Sequence, residues 1–100
     1  MPEYLLLMHA SDAAAAPDTS HTWPTYLAAL GEMGVFEGGS ALGGGVCVTK
    51  AGAHAEITRH LTGYIRVQAD SLEEAQGLLA GNPVYEAGGT VEIRELPRTS

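Results

Sequence analysis

Positive charge is scarce in this chain. Five Lys and Arg stand against twelve Asp and Glu, a formal net charge of −7, and no Lys/Arg cluster is present to follow a phosphate backbone. A direct nucleic-acid partner is therefore not expected. Cysteine is limited to Cys47, which excludes an internal disulfide; its neighbours Val46 and Val48 point to a thiol buried in a strand. Long hydrophobic runs are missing too. The run Leu5 to Met8 falls far short of the ~20 residues that cross a bilayer, and the N-terminus has neither a basic leader nor an apolar stretch of signal-peptide length. The default expectation is a soluble cytoplasmic protein with no membrane partner. At 100 residues the chain is sized for one domain, residues 1–100, burying roughly 60–70% of the surface its unfolded form exposes.

The richest segment is Leu61 to Leu96, LTGYIRVQADSLEEAQGLLAGNPVYEAGGTVEIREL. From Leu61 to Ala69 apolar or small residues alternate with Thr62, Tyr64, Arg66 and Gln68, the two-residue period of a strand with unlike faces. Ser71 and Glu74 have the spacing of a capping box, and Asp70, Glu73 and Glu74 suit the positive end of a helix dipole. Leu72, Ala75, Leu78 and Leu79 share one helical face, so a helix of roughly three turns is expected until Gly81-Asn82-Pro83 stops it. After a Gly88-Gly89 turn, Val91 and Ile93 alternate with Glu92 and Arg94 as a closing strand.

Upstream, Tyr4 to His9 reads as a strand apolar on both faces, suited to the sheet centre. Ala10 to Ser20 reads as a loop. Thr22 can cap a helix that tolerates Pro24 in its first turn and carries the stripe Trp23, Tyr26, Leu27, Leu30 and Met33 up to Gly34. The glycine-rich stretch Gly38 to Gly45 reads as a flexible turn leading to a strand at Val46 to Thr49, with Lys50-Ala51-Gly52 as a turn. Between Ala53 and His60 the pattern fits either an irregular excursion or an early start of the third strand. The order strand, helix, strand, strand, helix, strand predicts an α+β protein. With right-handed crossovers it makes a ferredoxin-like βαββαβ fold, a four-stranded antiparallel sheet with two helices on one face. The other face would leave apolar side chains wet in a monomer, so a homodimer is expected.

These residues resemble the YCII-related proteins, including the branch named for a DGPF motif, within the dimeric alpha/beta-barrel superfamily. The resemblance rests on Leu61 to Leu96, on GGSALGGG before it and on WPTYLAALGEMG in the first helix. It implies a ferredoxin-like domain dimerising sheet to sheet as a dimeric α/β barrel. Most relatives have no known activity, a few act on small aromatic or hydroxylated compounds, and some branches are associated with stress-response sigma factors. The naming motif itself is absent, since Lys50 to Leu61 reads KAGAHAEITRHL. A histidine in helix one paired with an aspartate before a proline has been proposed for some members; Tyr26 and Asn82 stand at those places here, and neither is an unassisted base at neutral pH.

Candidate chemistry gathers where strand one ends and helix one begins. His9, His21, Trp23 and Tyr26 would meet there in a small pocket, with His9 and Tyr26 as catalytic candidates and the helix N-terminus favouring an anion. The bland alternative is a strand-end histidine and an aromatic stripe packed on the sheet. Asn82 and Tyr85 are expected at the opposite end of the molecule, joining that site only through a bent loop or a partner chain. Tyr64, Arg66, Gln68, Glu92 and Arg94 form a polar face toward the partner, with Tyr64 a further ligand candidate and Arg66 with Glu92 a candidate ion pair. His9, His21, His54 and His60 lack metal-ligand spacing, so no metal and no cofactor are expected. Two functions fit: a homodimer binding a small hydroxylated or aromatic molecule, with a cofactor-independent lyase or isomerase acting by proton transfer as its catalytic form, and a non-catalytic interaction or regulatory module.

Overall fold

The computed structural model describes residues 2–10, 22–52, 57–58 and 60–97. Its elements are β1 (Glu3–His9), α1 (Trp23–Glu32), β2 (Phe36–Ala41), β3 (Leu61–Gln68), α2 (Leu72–Gly77), α3 (Pro83–Glu86) and β4 (Val91–Leu96). The sheet order is β2-β3-β1-β4 with antiparallel neighbours throughout. This is the expected ferredoxin-like arrangement, with β1 inside the sheet. Most of the expected loop Ala10 to Ser20, the segment 53–56 and His21 lie outside the described residues.

Alternation sets the two faces of the sheet. Tyr4, Leu6 and Met8 on β1 and Ile65 and Val67 on β3 are buried beneath Tyr26 and Leu30 of α1 and Ala75 of α2. Each fully buried aliphatic side chain in that layer contributes about 2 kcal/mol. Leu5, Leu7 and His9 point to the other face and are half-buried within the single chain.

The second strand is where the sequence reading fails. It runs through Phe36–Ala41, overlapping the stretch Gly38 to Gly45 read as a flexible turn, while Val46 to Thr49 carries no strand. Val46 and Val48 are 80% and 81% exposed, and Cys47 is half-exposed rather than buried. Glycine is what lets β2 close on its neighbour: a Cβ at Gly39 would lie 2.5 Å from the Tyr64 carbonyl oxygen and 3.0 Å from the Ile65 Cα. Composition marked these residues as a turn, but at Gly39 the missing side chain serves close backbone approach.

Helix caps follow the sequence closely. The Thr22 hydroxyl accepts from the Thr25 N–H, and the Ser71 hydroxyl accepts from the Glu74 N–H, with the Glu74 carboxylate reaching back to the Asp70 N–H. The second helix is shorter than expected. After Gly77 the chain tightens into three-residue turns closed by the Leu78 and Leu79 N–H groups, passes the left-handed Gly81 at φ 87°, and closes a further turn at the Asn82 N–H. Asn82-Pro83 does not end helical structure: Asn82 caps the short α3.

Strand direction overturns the expectation that Asn82 and Tyr85 lie far from helix one. Because β3 runs opposite to β1, α2 starts at the edge where α1 ends. Its C-terminal turns therefore arrive beside the start of α1. The expected Arg66–Glu92 pair also fails, because β1 lies between β3 and β4. Arg66 instead pairs with Glu3 at 2.7 Å.

Chemical denaturation tests the glycine argument. Gly39→Ala is expected to lose about 2 kcal/mol or more as β2 is forced off β3. Gly31→Ala, in α1 with open space around it, is expected to gain roughly 0.5–1 kcal/mol.

Candidate functional site

A cavity of about 420 Å³ opens between α1 and the β2–β3 end of the sheet. Its walls are aromatic and aliphatic: Trp23 and Leu27 from α1, Phe36 from the start of β2, Ile65 from β3, and Met8 beneath. Trp23 and Phe36 are each 36% exposed, so the rim presents large apolar groups to solvent. Gly39 and Gly63 bare the backbone along the floor. That volume is within the range of small-ligand pockets.

Tyr26 lies below this cavity rather than in it. Its ring packs edge-on to Trp23, with centroids 6.0 Å apart, and it is almost wholly buried. The phenol donates to the Leu78 carbonyl at 2.7 Å, tying α1 to the turn after α2. Burial pushes the Tyr26 phenol above its ordinary value, and the adjacent Asn82 amide partly opposes that rise. Asn82 is completely buried. Its Oδ1 accepts from the Val84 and Tyr85 N–H groups at 2.9 and 3.1 Å, while its Nδ2 faces inward without a geometrically sound hydrogen bond. Tyr26 and Asn82 thus sit together, both neutral, holding two segments in place.

The structure separates His9 from Trp23 and Tyr26. Met8 faces the helices, so the next residue, His9, faces the opposite side of the sheet. There its Nε2 lies 3.0 Å from a Glu92 carboxylate oxygen, and its ring meets His60 edge-on with centroids 4.8 Å apart. Glu92 also holds Arg94 at 3.4 Å. The expected pocket joining His9 to the start of helix one therefore does not form within one chain. Tyr85 lines a separate surface groove with Leu72, Gln76, Leu79, Val91 and Ile93. His21 lies outside the described residues. Of the expected ligand residues, Trp23 lines the cavity, while Tyr64 borders it from a strand position paired with Leu7, and both of those side chains face the open side of the sheet.

Sequence reasoning missed Phe36. Phe36 is the chain's only phenylalanine, standing after a helix stop and before a glycine run, and that was the available signal for a strand-borne wall. Among the described residues, no three His, Cys, Asp or Glu side chains converge as metal ligands would, and no helix is long and apolar enough to cross a membrane.

The YCII-related domain profile matches residues 3–99. The chain belongs to the YCII-related family. Its structure is similar to that of 5-chloro-2-hydroxyhydroquinone dehydrochlorinase (TftG) from Burkholderia phenoliruptrix AC1100, determined in complex with 2,5-dihydroxybenzoquinone. The TM-score is 0.59 over 97% of this chain and 95% of that one, at 14% identity. At that identity the likeness carries the fold alone. No curated protein sequence matches the chain. Within this YCII-related fold, the Tyr26–Asn82 pairing joins α1 to the end of the second helical segment.

Tyr26→Phe is expected to cost about 1–2 kcal/mol, because the Leu78 carbonyl loses its donor. The sign of the pH effect follows from the raised phenol. The unfolded state ionises first, near pH 10, so below that the contribution is complete. It is lost as pH rises from there through the folded-state value. Denaturation between pH 8 and 11 should show wild type losing more stability than Tyr26→Phe; equal losses would contradict the assignment.

Proposed function

We propose that this YCII-related protein is a homodimer that binds a small aromatic or hydroxylated molecule in the cavity between α1 and the β2–β3 pair. The observation that carries the reading is the cavity itself, walled by Trp23, Leu27 and Phe36 and floored by the bared backbone of Gly39 and Gly63. Flat aromatic walls favour a flat ligand by offset or edge-on ring contact, and glycine lets that ligand approach the backbone closely. The dehydrochlorinase of similar fold has a structure in complex with 2,5-dihydroxybenzoquinone, which is in keeping with such a ligand.

Binding is favoured over turnover at this site. The Tyr26 proton is committed to Leu78, Asn82 cannot ionise, and His9 lies across the sheet. A second reading assigns proton transfer to His9, because its contact with Glu92 would orient the imidazole for acid–base work on the open face. That face is also where the second copy is proposed to dock. Leu5 and Leu7 form its apolar centre, flanked by the Arg66–Glu3 and Glu92–Arg94 pairs.

Calorimetric titration with hydroquinone or 4-methylphenol tests the ligand site. Phe36→Ala should weaken binding roughly tenfold, the value of one lost aromatic wall. His9→Ala should leave that affinity unchanged while abolishing turnover of any substrate held on the open face. Unaltered affinity in Phe36→Ala would overturn the cavity reading. For assembly, light scattering should find wild type at twice the chain mass and Leu7→Lys at the monomer mass, since a lysine cannot be buried unpaired between two sheets. A dimeric Leu7→Lys protein, or a monomeric wild type, would count against sheet-to-sheet docking.

A further inference from the structure

We infer that residues 42–52 form an arm that docks on a second copy of this chain, laying Val46 and Val48 in the groove between α2, α3 and β4 of that copy; this rests on the homodimer reading above. Within one chain the arm is an apolar surface in water. Val46 and Val48, two β-branched residues at strand spacing, are 80% and 81% exposed, and Leu42 at the root is 42% exposed. The arm nevertheless has a defined course. The Leu42 N–H donates to the Thr62 carbonyl at 3.0 Å, carrying the β2–β3 pairing past Ala41, and at the far end the Gly52 N–H donates to the Thr49 carbonyl at 3.1 Å.

The groove is the matching surface. Leu72 of α2 and Tyr85 of α3 are each 48% exposed there, beside the half-buried Val91 and Ile93 of β4. Its volume is about 410 Å³, and among the described residues no charged side chain lines it. Register puts arm and groove at the same end of the sheet, because Ala41 pairs with Gly63, Gly63 with Met8, and Met8 with Val91. They stand at opposite edges of it, β2 and β4. Two sheets stacked face to face about a two-fold axis parallel to their strands bring the β2 edge of each copy over the β4 edge of the other. From there to the partner's helix side is about 20 Å, two layer spacings of ~10 Å, and eight extended residues from Leu42 to Thr49 reach up to about 26 Å.

Area and charge both favour a second copy as the occupant. Four strands of six to eight residues give the open face an outline of roughly 450 Å², against the ~800 Å² per partner of a standard interface. The arm and groove extend that contact on both sides of the axis. Lys50, exposed at the tip, is the single charged residue of the arm in a chain of net charge −7. Glu73 and Glu86 stand on the two helices that border the groove, so the tip meets a surface of opposite sign.

Mixed dimers test the docking directly. A nitroxide on Cys47 of one chain is combined with an isotope-labelled Cys47→Ala chain, whose amide signals then report only the neighbour's arm. The expected result is broadening at Leu72, Gln76 and Tyr85, with Trp23 and Leu27 unaffected. In sedimentation, Val46→Ser with Val48→Ser is expected to weaken the dimer about a hundredfold or more, and circular dichroism should show the same fold, since both valines are exposed. A dimer in which the nitroxide leaves those three signals sharp, or a double variant that dimerises as wild type does, would overturn the arm while leaving the homodimer reading intact. A monomeric wild type would remove both. A monomer whose Val46 and Val48 signals broaden on phosphatidylglycerol vesicles would assign the arm to a lipid surface and overturn docking on a second copy.

Discussion

The close approach of β2 to β3 at Gly39 is the constraint on which the candidate site depends. A single methyl there would meet the Tyr64 carbonyl oxygen and the Ile65 backbone, so a side chain and this strand pairing are incompatible. With glycine the strand closes, and Phe36 is carried to the side of the sheet that faces Trp23 and Leu27 of α1. The cavity is the space left between a helix that carries large side chains and a strand that carries almost none. Low β-propensity is thus tolerated in an edge strand because its function is to leave room.

The sheet divides the chemistry of the molecule between its faces. Beneath the helices lie the aliphatic core, the neutral Tyr26–Asn82 pair and the uncharged cavity. On the open face lie the ionic groups: Arg66 with Glu3, His9 with Glu92, and Arg94 on the other carboxylate oxygen. Strand alternation alone produces this division, since Met8 and His9 are neighbours in sequence and point opposite ways. An acid–base reading built on His9 and Tyr26 together fails for that reason. Each residue has a partner that explains its position, but the two do not share a space within one chain.

Much of the architecture was legible in local chemistry. The alternation from Leu61 to Gln68, the Ser71–Glu74 cap, the Thr22 cap with Pro24 and the Gly88 turn each specify their element through contacts within a few residues, and the fold order follows from them. The misplaced second strand shows where that reach ends. Val46 to Thr49 has strand-like alternation but stands exposed, whereas Phe36–Ala41 has poor strand composition and pairs with β3, because pairing there depends on a backbone contact across 25 residues of chain. The same error hid Phe36 from the site. Asn82 and Tyr26 were misjudged as distant for a different reason: their proximity depends on the direction in which α2 crosses the sheet, which no single segment encodes.

The most direct measurement is two-dimensional NMR of the isotopically labelled protein during titration with 4-methylphenol. A ligand in the cavity predicts shift changes at the Trp23 indole and the Gly39, Ser40 and Gly63 amides, with His9 and Glu92 unmoved. Changes confined to His9, His60 and Glu92, or no changes at saturating phenol, would contradict the cavity between α1 and the glycine strand as the binding site.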